Sequence, residues 1–389
     1  MKRRIAYWQV GVVAGALAFT QVEGQTLGQA SGPWVMEKSG TTAGLRGIHA
    51  VGGGVAWASG TDGTVLRTED GGYEWQSCAM PPGAEKLDFR GVWAWDADTA
   101  IVMSSGPGEA SRLYKTTDGC SSWKLVFTNP DKDGFWDAVA FRDQQTGSVL
   151  GDPVQSAFVV LDSTDGGSHW VRDRNAGLHS DGKHQGAFAA SNSALTFLPS
   201  TQRIHVFSRH WEFFGSGGEK GPFIYVRSRD IPDNCQQPSM HCSMNMNSGA
   251  SSWRRVRIPL TGGSQSSGVF SVATGFSEGS FPHVVVLAVG GDYTKPNESA
   301  GTAAWSADGG KTWTAAAKPP HGYRSAVAWD AEAKAWIAAG TNGSDISYDD
   351  GKTWEPLDSG EWNALSWPWV VGPKGRIAKL DRGKLPARK

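Results

Sequence analysis

Short apolar runs, each bounded by Gly, Asp or Asn, recur in groups of three along the chain. The first group is Leu45–Val51, Gly54–Ser59 and Val65–Thr68, and comparable groups begin at Phe89 and Phe135. Runs of this length with these boundaries are typical of β-strands, and no long segment with a 3.6-residue apolar period competes with them. The pattern therefore predicts an all-β protein.

A motif of the form Ser/Thr-x-Asp-x-Gly-x-x-Trp follows the third run of most groups. Matches lie at Thr68–Trp75, Thr116–Trp123, Ser163–Trp170, Ser306–Trp313 and Ser347–Trp354, and a split copy joins Ser228 and Asp230 to Trp253 across an insertion at 231–249. Repetition at this spacing is typical of a repeat architecture. With a further strand after each Trp, every group predicts a four-stranded antiparallel unit, as in a propeller blade.

The repeats account for six blades, and the two ends of the chain supply a seventh. Trp362–Trp367, Pro368–Gly372 and Arg376–Leu380 predict three strands, and Pro33–Lys38 predicts a fourth. Pairing the N-terminal strand with the C-terminal three would close the ring and remove exposed strand edges. We predict a single seven-bladed β-propeller over residues 31–382, closed in this way.

The repeated aspartates are expected to be structural. Their carboxylates can accept hydrogen bonds from turn N–H groups, while the glycine supplies positive φ and the Trp buries a large ring. The residues concerned are Asp70, Asp118, Asp165, Asp230, Asp308 and Asp349. They should lie on the face opposite the binding site.

The N-terminus predicts export. Lys2, Arg3 and Arg4 precede a short apolar run, Val10–Phe19, and small residues follow it. This arrangement is typical of a secretory signal peptide over residues 1–24, with cleavage as late as residue 30; an uncleaved N-terminal anchor is the alternative. A periplasmic or secreted location would permit disulfides. The candidate pairs are Cys235 with Cys242 and Cys78 with Cys120, although four cysteines allow three connectivities.

The candidate binding site is the mouth of the central channel, where the first strands of the blades begin. Five residues at these starts, Arg46, Arg90, Trp136, Arg324 and Trp362, are predicted to be equivalent. Arg209, Asp292 and Tyr293 are expected in loops between second and third strands on the same face. Arginines and aromatic rings together suit a peptide or another carboxylate-bearing ligand. Alternatively, each arginine pairs with a nearby loop acid.

Other chemistries have weaker support. The formal net charge of −1 gives no argument for nucleic acid. His179, His184, His205 and His210 match no metal-ligand spacing, and Gly215–Gly221 precedes no helix that could bind a nucleotide. We expect no metal and no cofactor. A carboxylate pair for glycoside hydrolysis could come from Asp152, Glu212 and Asp292, which keeps a glycan-directed enzyme as an alternative.

Several stretches resemble the photosystem II stability/assembly-factor-like family of Asp-box (BNR-type repeat) propellers, in its bacterial branch. They are Gly186–Asn192, Val289–Tyr293, Tyr323–Val327, Gly340–Ser344 and Val371–Leu380. The resemblance implies an exported seven-bladed propeller whose photosynthetic relatives bind a reaction-centre precursor through an arginine patch. Arg46, Arg90 and Arg324 are the positions here that could match that patch.

Two functions follow from the sequence. The first is a non-catalytic monomer that binds a protein or peptide segment, such as part of a membrane complex, and acts as an assembly or stability factor. The second is a sialidase-like glycoside hydrolase, because sialidases share the repeated motif.

Overall fold

The computed structural model describes residues 32–174, 177–198, 209–230, 252–277 and 283–388, and these residues form antiparallel sheets with no α-helix among them. Short 3₁₀ turns occur at Gly108–Ala110, Gly182–His184 and Arg382–Lys384. No helix in the described ranges is long and apolar enough to span a bilayer. The predicted all-β class and the four-stranded antiparallel units are confirmed.

Three four-stranded sheets follow one another in the first half of the chain, each with its strands in chain order. The first sheet is β2 (Leu45–Gly52), β3 (Val55–Gly60), β4 (Val65–Thr68) and β5 (Gln76–Ser77). The second sheet is β6 (Phe89–Ala94), β7 (Ala100–Ser104), β8 (Arg112–Thr116) and β9 (Lys124–Thr128). The third sheet is β10 (Trp136–Phe141), β11 (Gly147–Val154), β12 (Ala157–Ser163) and β13 (Val171–Arg172).

The middle of the chain forms a nine-stranded sheet with two halves. One half contains β15 (Leu195–Phe197), β16 (Arg209–Gly218), β17 (Phe223–Asp230) and β18 (Trp253–Arg257), with β14 (Gln185–Gly186) added to β16. The other half contains β19 (Ser267–Phe276), β20 (Val284–Asp292), β21 (Ala303–Ser306) and β22 (Thr314–Ala315). A single residue pair, Gly217 with Gly268, joins β16 to β19.

The chain ends contribute the remaining two sheets. One is β23 (Ala326–Asp330), β24 (Ala335–Gly340), β25 (Gly343–Ser347) and β26 (Glu355–Asp358). The other combines β27 (Ala364–Ser366), β28 (Trp369–Val371) and β29 (Ile377–Leu380) with β1 (Trp34–Glu37) from the N-terminus. β1 pairs antiparallel with β29, from Trp34 opposite Leu380 to Glu37 opposite Ile377.

Strands β2, β6, β10, β15, β19, β23 and β27, here called the first strands, lie against one another. β2 contacts β6 on one side and β27 on the other, and the remaining first strands follow in chain order. Apolar side chains fill the space between neighbouring sheets. Trp57, for example, is fully buried and its ring lies edge-on to that of Trp123 at 6.3 Å. Replacing such a ring by alanine should cost roughly 3–5 kcal/mol.

The repeated motif closes the hairpin between the third and fourth strands. In the copy at Ser306–Trp313, the Asp308 carboxylate accepts hydrogen bonds from the Lys311 N–H, the Thr312 N–H and the Ser306 hydroxyl. The Ser306 Oγ in turn accepts from the Gly310 N–H. The same Ser/Thr-to-Asp hydrogen bond is made by Asp70, Asp118, Asp165 and Asp349, while the side chain of Asp230 lies outside the described part. The carboxylate is therefore used in hydrogen bonds within its own turn.

A disulfide joins the first and second sheets. Cys78 follows β5 and is bonded to Cys120, which occupies a glycine position in the second repeat. The contact is reinforced by a hydrogen bond from the Ala79 N–H to the Cys120 carbonyl, and by one from the Trp123 indole to the Ala79 carbonyl. Cys235 and Cys242 and the predicted insertion at 231–249 fall outside the described residues.

Candidate functional site

Each sheet has two distinct ends, which the strand registers define. In the first sheet Thr68, where the repeat begins, pairs with Ala56, whereas Leu45 pairs with Gly60 at the far end of β3. We call the end that carries the repeats the turn face, and the end at which the first strands begin the rim. Backbone bonds such as Leu45 N–H to the Gly372 carbonyl keep the rims of neighbouring sheets together.

A β-bulge lies near the rim in β2, β6, β10 and β19. The pairing passes directly from Leu45 to Gly47, from Phe89 to Gly91, from Trp136 to Ala138 and from Val269 to Ser271. The extra residues are Arg46, Arg90, Asp137 and Phe270. A bulge re-aims the side chain of its extra residue, so these four positions are structurally equivalent.

Three predicted site residues therefore occupy a different position from Arg46 and Arg90. Trp136 precedes its bulge, as Leu45 does. Arg324 and Trp362 make the same backbone bond to the preceding sheet as Leu45, through the carbonyls of Gly290 and Gly340. All three side chains are at most 1% exposed. The predicted equivalence of the five positions is therefore wrong: these three residues lie one position earlier in their strands than Arg46 and Arg90 do. A shift of one residue turns a side chain to the opposite side of the strand.

The buried Arg324 belongs to an internal ion-pair network. Its Nε donates to the Asp345 carboxylate at 2.6 Å, and both groups have no exposed surface. His321 also contacts Asp345, at 2.8 Å through Nδ1, and its Nε2 lies 3.0 Å from the Asn342 carbonyl. The hydrogen bond to Asp345 raises the pKa of His321. Arg324 thus has a structural partner, which was the alternative reading of the arginines.

Arg209 lies at the opposite end of the molecule from its predicted place. It begins β16, where it pairs with the repeat residue Asp230 on the turn face. Glu212, in the same strand, is 4% exposed and pairs with the buried Arg227, which also binds Asp162 and Asp173. The segment was expected to be a loop between the second and third strands, but it is the second strand itself.

Arg46 and Arg90 remain at the rim and share one carboxylate. The Arg90 Nε donates to Asp88 at 2.8 Å, and the Arg46 Nε lies 3.6 Å from the other oxygen of Asp88. The side chain of Arg46 is 36% exposed and that of Arg90 is 30% exposed. Two arginine side chains on neighbouring sheets therefore face a single carboxylate and are each about one-third exposed.

Two further carboxyl groups, those of Asp137 and Asp152, lie close to this pair of arginines. Asp137 is 1% exposed, and burial and the nearby Asp152 raise its pKa well above its ordinary value, although Arg90 opposes the shift. Burial also raises the pKa of Asp152, to about 6, against the hydrogen bond that its Oδ1 accepts from the Ala187 N–H. No sequence signal distinguishes Asp137, because its bulge position is not recognisable from residue types.

Residues Gly186–Ser193, here called the crossing segment, connect several first strands at the rim. The Asn192 amide bonds to the carbonyls of Val92 and Val139 and accepts the Val139 N–H. Ser191 donates to the Ser325 carbonyl, and Ser193 contacts the Ser271 hydroxyl at 2.7 Å. In the sequence these residues are recognisable only as a stretch of family resemblance. Their contacts link strands of four different sheets, which no local sequence signal indicates.

The other two predicted site residues, Asp292 and Tyr293, lie at the rim at the end of β20. Asp292 is buried, and its carboxylate accepts the N–H and hydroxyl of Thr294 and the hydroxyl of Ser264. Burial alone would raise the pKa of Asp292, but these hydrogen bonds outweigh it and hold the pKa below its ordinary value. Tyr293, one residue on, is 52% exposed. Asp292 therefore positions the turn and Tyr293 is presented to solvent.

Within the described ranges, no group of three or more His, Cys, Asp or Glu side chains could hold a metal ion. The rim is instead a polar and aromatic surface. Tyr293 is exposed there, the side chains of Arg46 and Arg90 are partly exposed, and the crossing segment lies among them. Such a surface can bind a ligand through charge, hydrogen bonds and ring contacts.

The search of solved structures identifies this fold in other proteins. A structure described as YCF48 bound to D1 peptide is 16% identical, with a TM-score of 0.54, over 90% of this chain and 96% of that one. YCF48 from Cyanidioschyzon merolae is 17% identical, with a TM-score of 0.51, over 90% and 98%. No protein-family model and no curated protein matches the chain. The chain has a YCF48-like β-propeller fold.

Proposed function

We propose that this chain is an exported, non-catalytic propeller that binds a protein or peptide segment at its rim and acts as an assembly or stability factor. The fold of the YCF48 structures, one of them described with a D1 peptide, supports peptide binding as the function of this architecture. The stretches of family resemblance favour the bacterial branch. Fold alone does not carry a function, so the proposal depends on the rim.

The proposed ring has seven blades, namely β2–β5, β6–β9, β10–β13, β15–β18, β19–β22, β23–β26 and β27–β29 with β1. Two observations support this count. The first strands contact one another in an order that returns from β27 to β2. β1 pairs with β29 along its whole length. Joining both chain ends in one blade completes a four-stranded sheet in the order β1-β29-β28-β27, the strand count of the other blades.

The observation that carries the proposed function is the sharing of Asp88 by Arg46 and Arg90. Because both arginine side chains are about one-third exposed, each can bind a ligand carboxylate or carbonyl without leaving Asp88 unpaired. Burial raises the pKa of Asp137 well above its ordinary value, which favours its neutral form and so less negative charge near Arg90. An acidic or carboxyl-terminal peptide segment fits this arrangement.

The test begins with native partners and ends with measured affinities. The protein would be crosslinked to its partners in native membranes, and overlapping peptides from them titrated against wild type and Arg46→Gln/Arg90→Gln. Glutamine retains amide donors but removes both charges, so we expect affinity to fall roughly 10- to 100-fold. Asp308→Ala, on the turn face, is the control and should bind as wild type does. Recovery of glycans alone, or equal binding by the arginine variant, would refute the proposal.

Export is part of the proposal and has a separate test. The basic and apolar N-terminal pattern supports it, and so does the Cys78–Cys120 disulfide, since disulfides persist in oxidising compartments. Mass spectrometry of protein from the native host should find an N-terminus between residues 25 and 31 in the extracytoplasmic fraction. An intact Met1 in the cytoplasmic fraction would contradict export.

One observation favours a second candidate, a glycan-directed hydrolase. Asp137 and Asp152 are neighbouring carboxyl groups with raised pKa values, as a general acid requires. Against it, Asp137 is only 1% exposed. Release of a chromophore from a panel of aryl glycosides, lost in Asp152→Asn, would establish this alternative; no turnover would leave binding as the function.

A further inference from the structure

An aromatic surface lies beside the arginine pair at the rim. The rings of Phe188 and Phe270 are stacked, with centroids 3.8 Å apart and planes 17° from parallel. The ring of Tyr293 meets Phe270 edge-on at 6.1 Å, and Tyr323 meets it edge-on at 4.8 Å. Phe270 and Tyr323 are buried, whereas Phe188 is partly exposed and Tyr293 is 52% exposed. The exposed part of the surface is therefore Phe188 and Tyr293.

Two glycines leave the space that the Phe188 ring occupies. A Cβ on Gly217 would approach the Phe188 ring to 2.7 Å, and one on Gly268 would approach it to 3.0 Å. Gly268 also has a φ of +153°, a conformation that L-residues rarely adopt. Tyr293 is fixed from the other side by the Asp292 turn, whose carboxylate is held by Thr294 and Ser264. The Phe188 ring is thus confined by its neighbours, and the backbone that carries Tyr293 is fixed by the Asp292 turn, before any ligand binds.

Consecutive residues connect this surface to the arginines. Phe188 stacks on Phe270, and the carbonyl of the next residue, Ala189, accepts a hydrogen bond from Arg90 at 3.3 Å. One ligand of a few residues can therefore contact the guanidinium group and the exposed rings together. Neither phenylalanine ring offers a hydrogen-bond partner, and the Asp292 carboxylate is occupied, so sugar hydroxyls would find few partners here. An apolar or aromatic side chain fits better.

We propose that the ligand is a peptide segment with an aromatic side chain within about three residues of a carboxylate. The carboxylate binds at Arg46 and Arg90, and the aromatic ring packs against Tyr293 and Phe188. This inference rests on the proposed peptide binding at the rim and adds the sequence class that the rim selects. Rigid aromatic residues supply much of the affinity at protein interfaces.

The test is selection from a library of random octapeptides with free carboxyl ends, carried out on the full exported chain. On wild type we expect enrichment of Phe, Tyr or Trp close to Asp, Glu or the carboxyl end. On Tyr293→Ala the acidic preference should remain and the aromatic preference should disappear. Tyr293→Phe should select as wild type does, because packing needs the ring and not the hydroxyl. Tyr73→Ala is the control, since Tyr73 is 95% exposed on the turn face.

Affinities of the selected peptides make the test quantitative. Replacing the aromatic residue of a selected peptide by alanine should weaken wild-type binding about tenfold. The same replacement should change binding to Tyr293→Ala less than twofold. Enrichment of acidic peptides without aromatic residues would overturn this inference and leave the proposed function standing. No enrichment on wild type would overturn both, and selection that Arg46→Gln/Arg90→Gln leaves unchanged would refute the arginine site.

Discussion

The Nδ1 atom of His49 accepts a hydrogen bond of 3.2 Å from the backbone N–H of Ala94, and so joins the first strands of two neighbouring sheets. First strands of different sheets do not pair in a ladder, so their edge N–H groups need other partners. In the same way, the Ser366 hydroxyl accepts the Ala50 N–H and the Ser271 hydroxyl accepts the Val327 N–H. Side chains from one sheet therefore satisfy the inner edge of the next.

The His49 contact predicts a loss of stability in acid. Burial lowers the pKa of His49 to about 4, so the folded state favours the neutral ring that accepts the Ala94 N–H. The stabilising contribution is complete above the unfolded pKa of 6.5 and is lost as pH falls from 6.5 to about 4. The loss should approach roughly 3 kcal/mol. Urea unfolding at pH 7.5 and pH 4.5 measures it.

His49→Asn is the informative variant for this prediction. The asparagine oxygen can occupy the position of Nδ1 and accept the same N–H, but it does not titrate. The difference in unfolding free energy between pH 7.5 and 4.5 should shrink in this variant, whereas His184→Asn, at an exposed histidine, should leave it unchanged. An unaltered pH dependence in His49→Asn would contradict the assignment.

The disulfide predicts a sensitivity to reduction. Cys78 and Cys120 lie 42 positions apart in the sequence, and for a loop of this length chain entropy gives a stabilisation of about 4 kcal/mol at most. We expect dithiothreitol to lower the melting temperature of wild type and not that of Cys78→Ser/Cys120→Ser. If the double variant melts as oxidised wild type does, the bridge contributes nothing to stability.

The turn face predicts a separation of stability from binding. Asp308→Ala removes the acceptor for the Lys311 and Thr312 N–H groups and should destabilise the fold by roughly 1–2 kcal/mol. Peptide affinity should stay within twofold, because Asp308 lies at the opposite end of its sheet from Asp292. Thermal melts and titration of the same preparation check both quantities. A large loss of affinity in folded Asp308→Ala would indicate that the ligand binds on the turn face, and would contradict binding at the rim.

Asp152 predicts tighter binding in mild acid. Its raised pKa of about 6 means that its charge, which opposes a ligand carboxylate near Arg90, disappears as pH falls from 7.5 to 5. The ligand carboxylate, with an ordinary pKa near 3.5, stays ionised over this range. Affinity should rise on the order of fivefold, as expected for charges several ångströms apart. Asp152→Asn should bind tightly at both pH values; if it keeps the wild-type pH dependence, another group is responsible.

The sequence predicted the sheets well because repetition and apolar periodicity are local signals. Units such as Leu45–Trp75 carry strand, turn and Trp positions together. The rim was predicted less accurately. The bulges at Arg46 and Asp137 each add one residue to a strand, and no residue type indicates where such a bulge occurs. The sequence therefore aligns Trp136 with Arg46, whereas in the structure Trp136 is equivalent to Leu45.

Two other features of the site depend on distant contacts. The sequence predicts that Arg209 lies in a loop at the rim. Because β16 is long, Arg209 lies instead at its turn-face end. The crossing segment is defined by bonds such as that between Ser191 and the Ser325 carbonyl, 134 residues apart. Tyr293 directly follows β20, an apolar strand that ends in Gly-Gly-Asp, and such a strand end can be recognised in the sequence; its role in binding stays a prediction.

Hydrogen–deuterium exchange with and without a saturating peptide tests the central claim, that ligand binds at the rim, most directly. Ligand binding at the rim predicts slower exchange in the presence of ligand at residues 44–47, 88–91, 186–193 and 291–295. It predicts no change on the turn face, at residues 69–75 and 307–313. Protection confined to the turn face, or absent from the rim while peptide is bound, would contradict it.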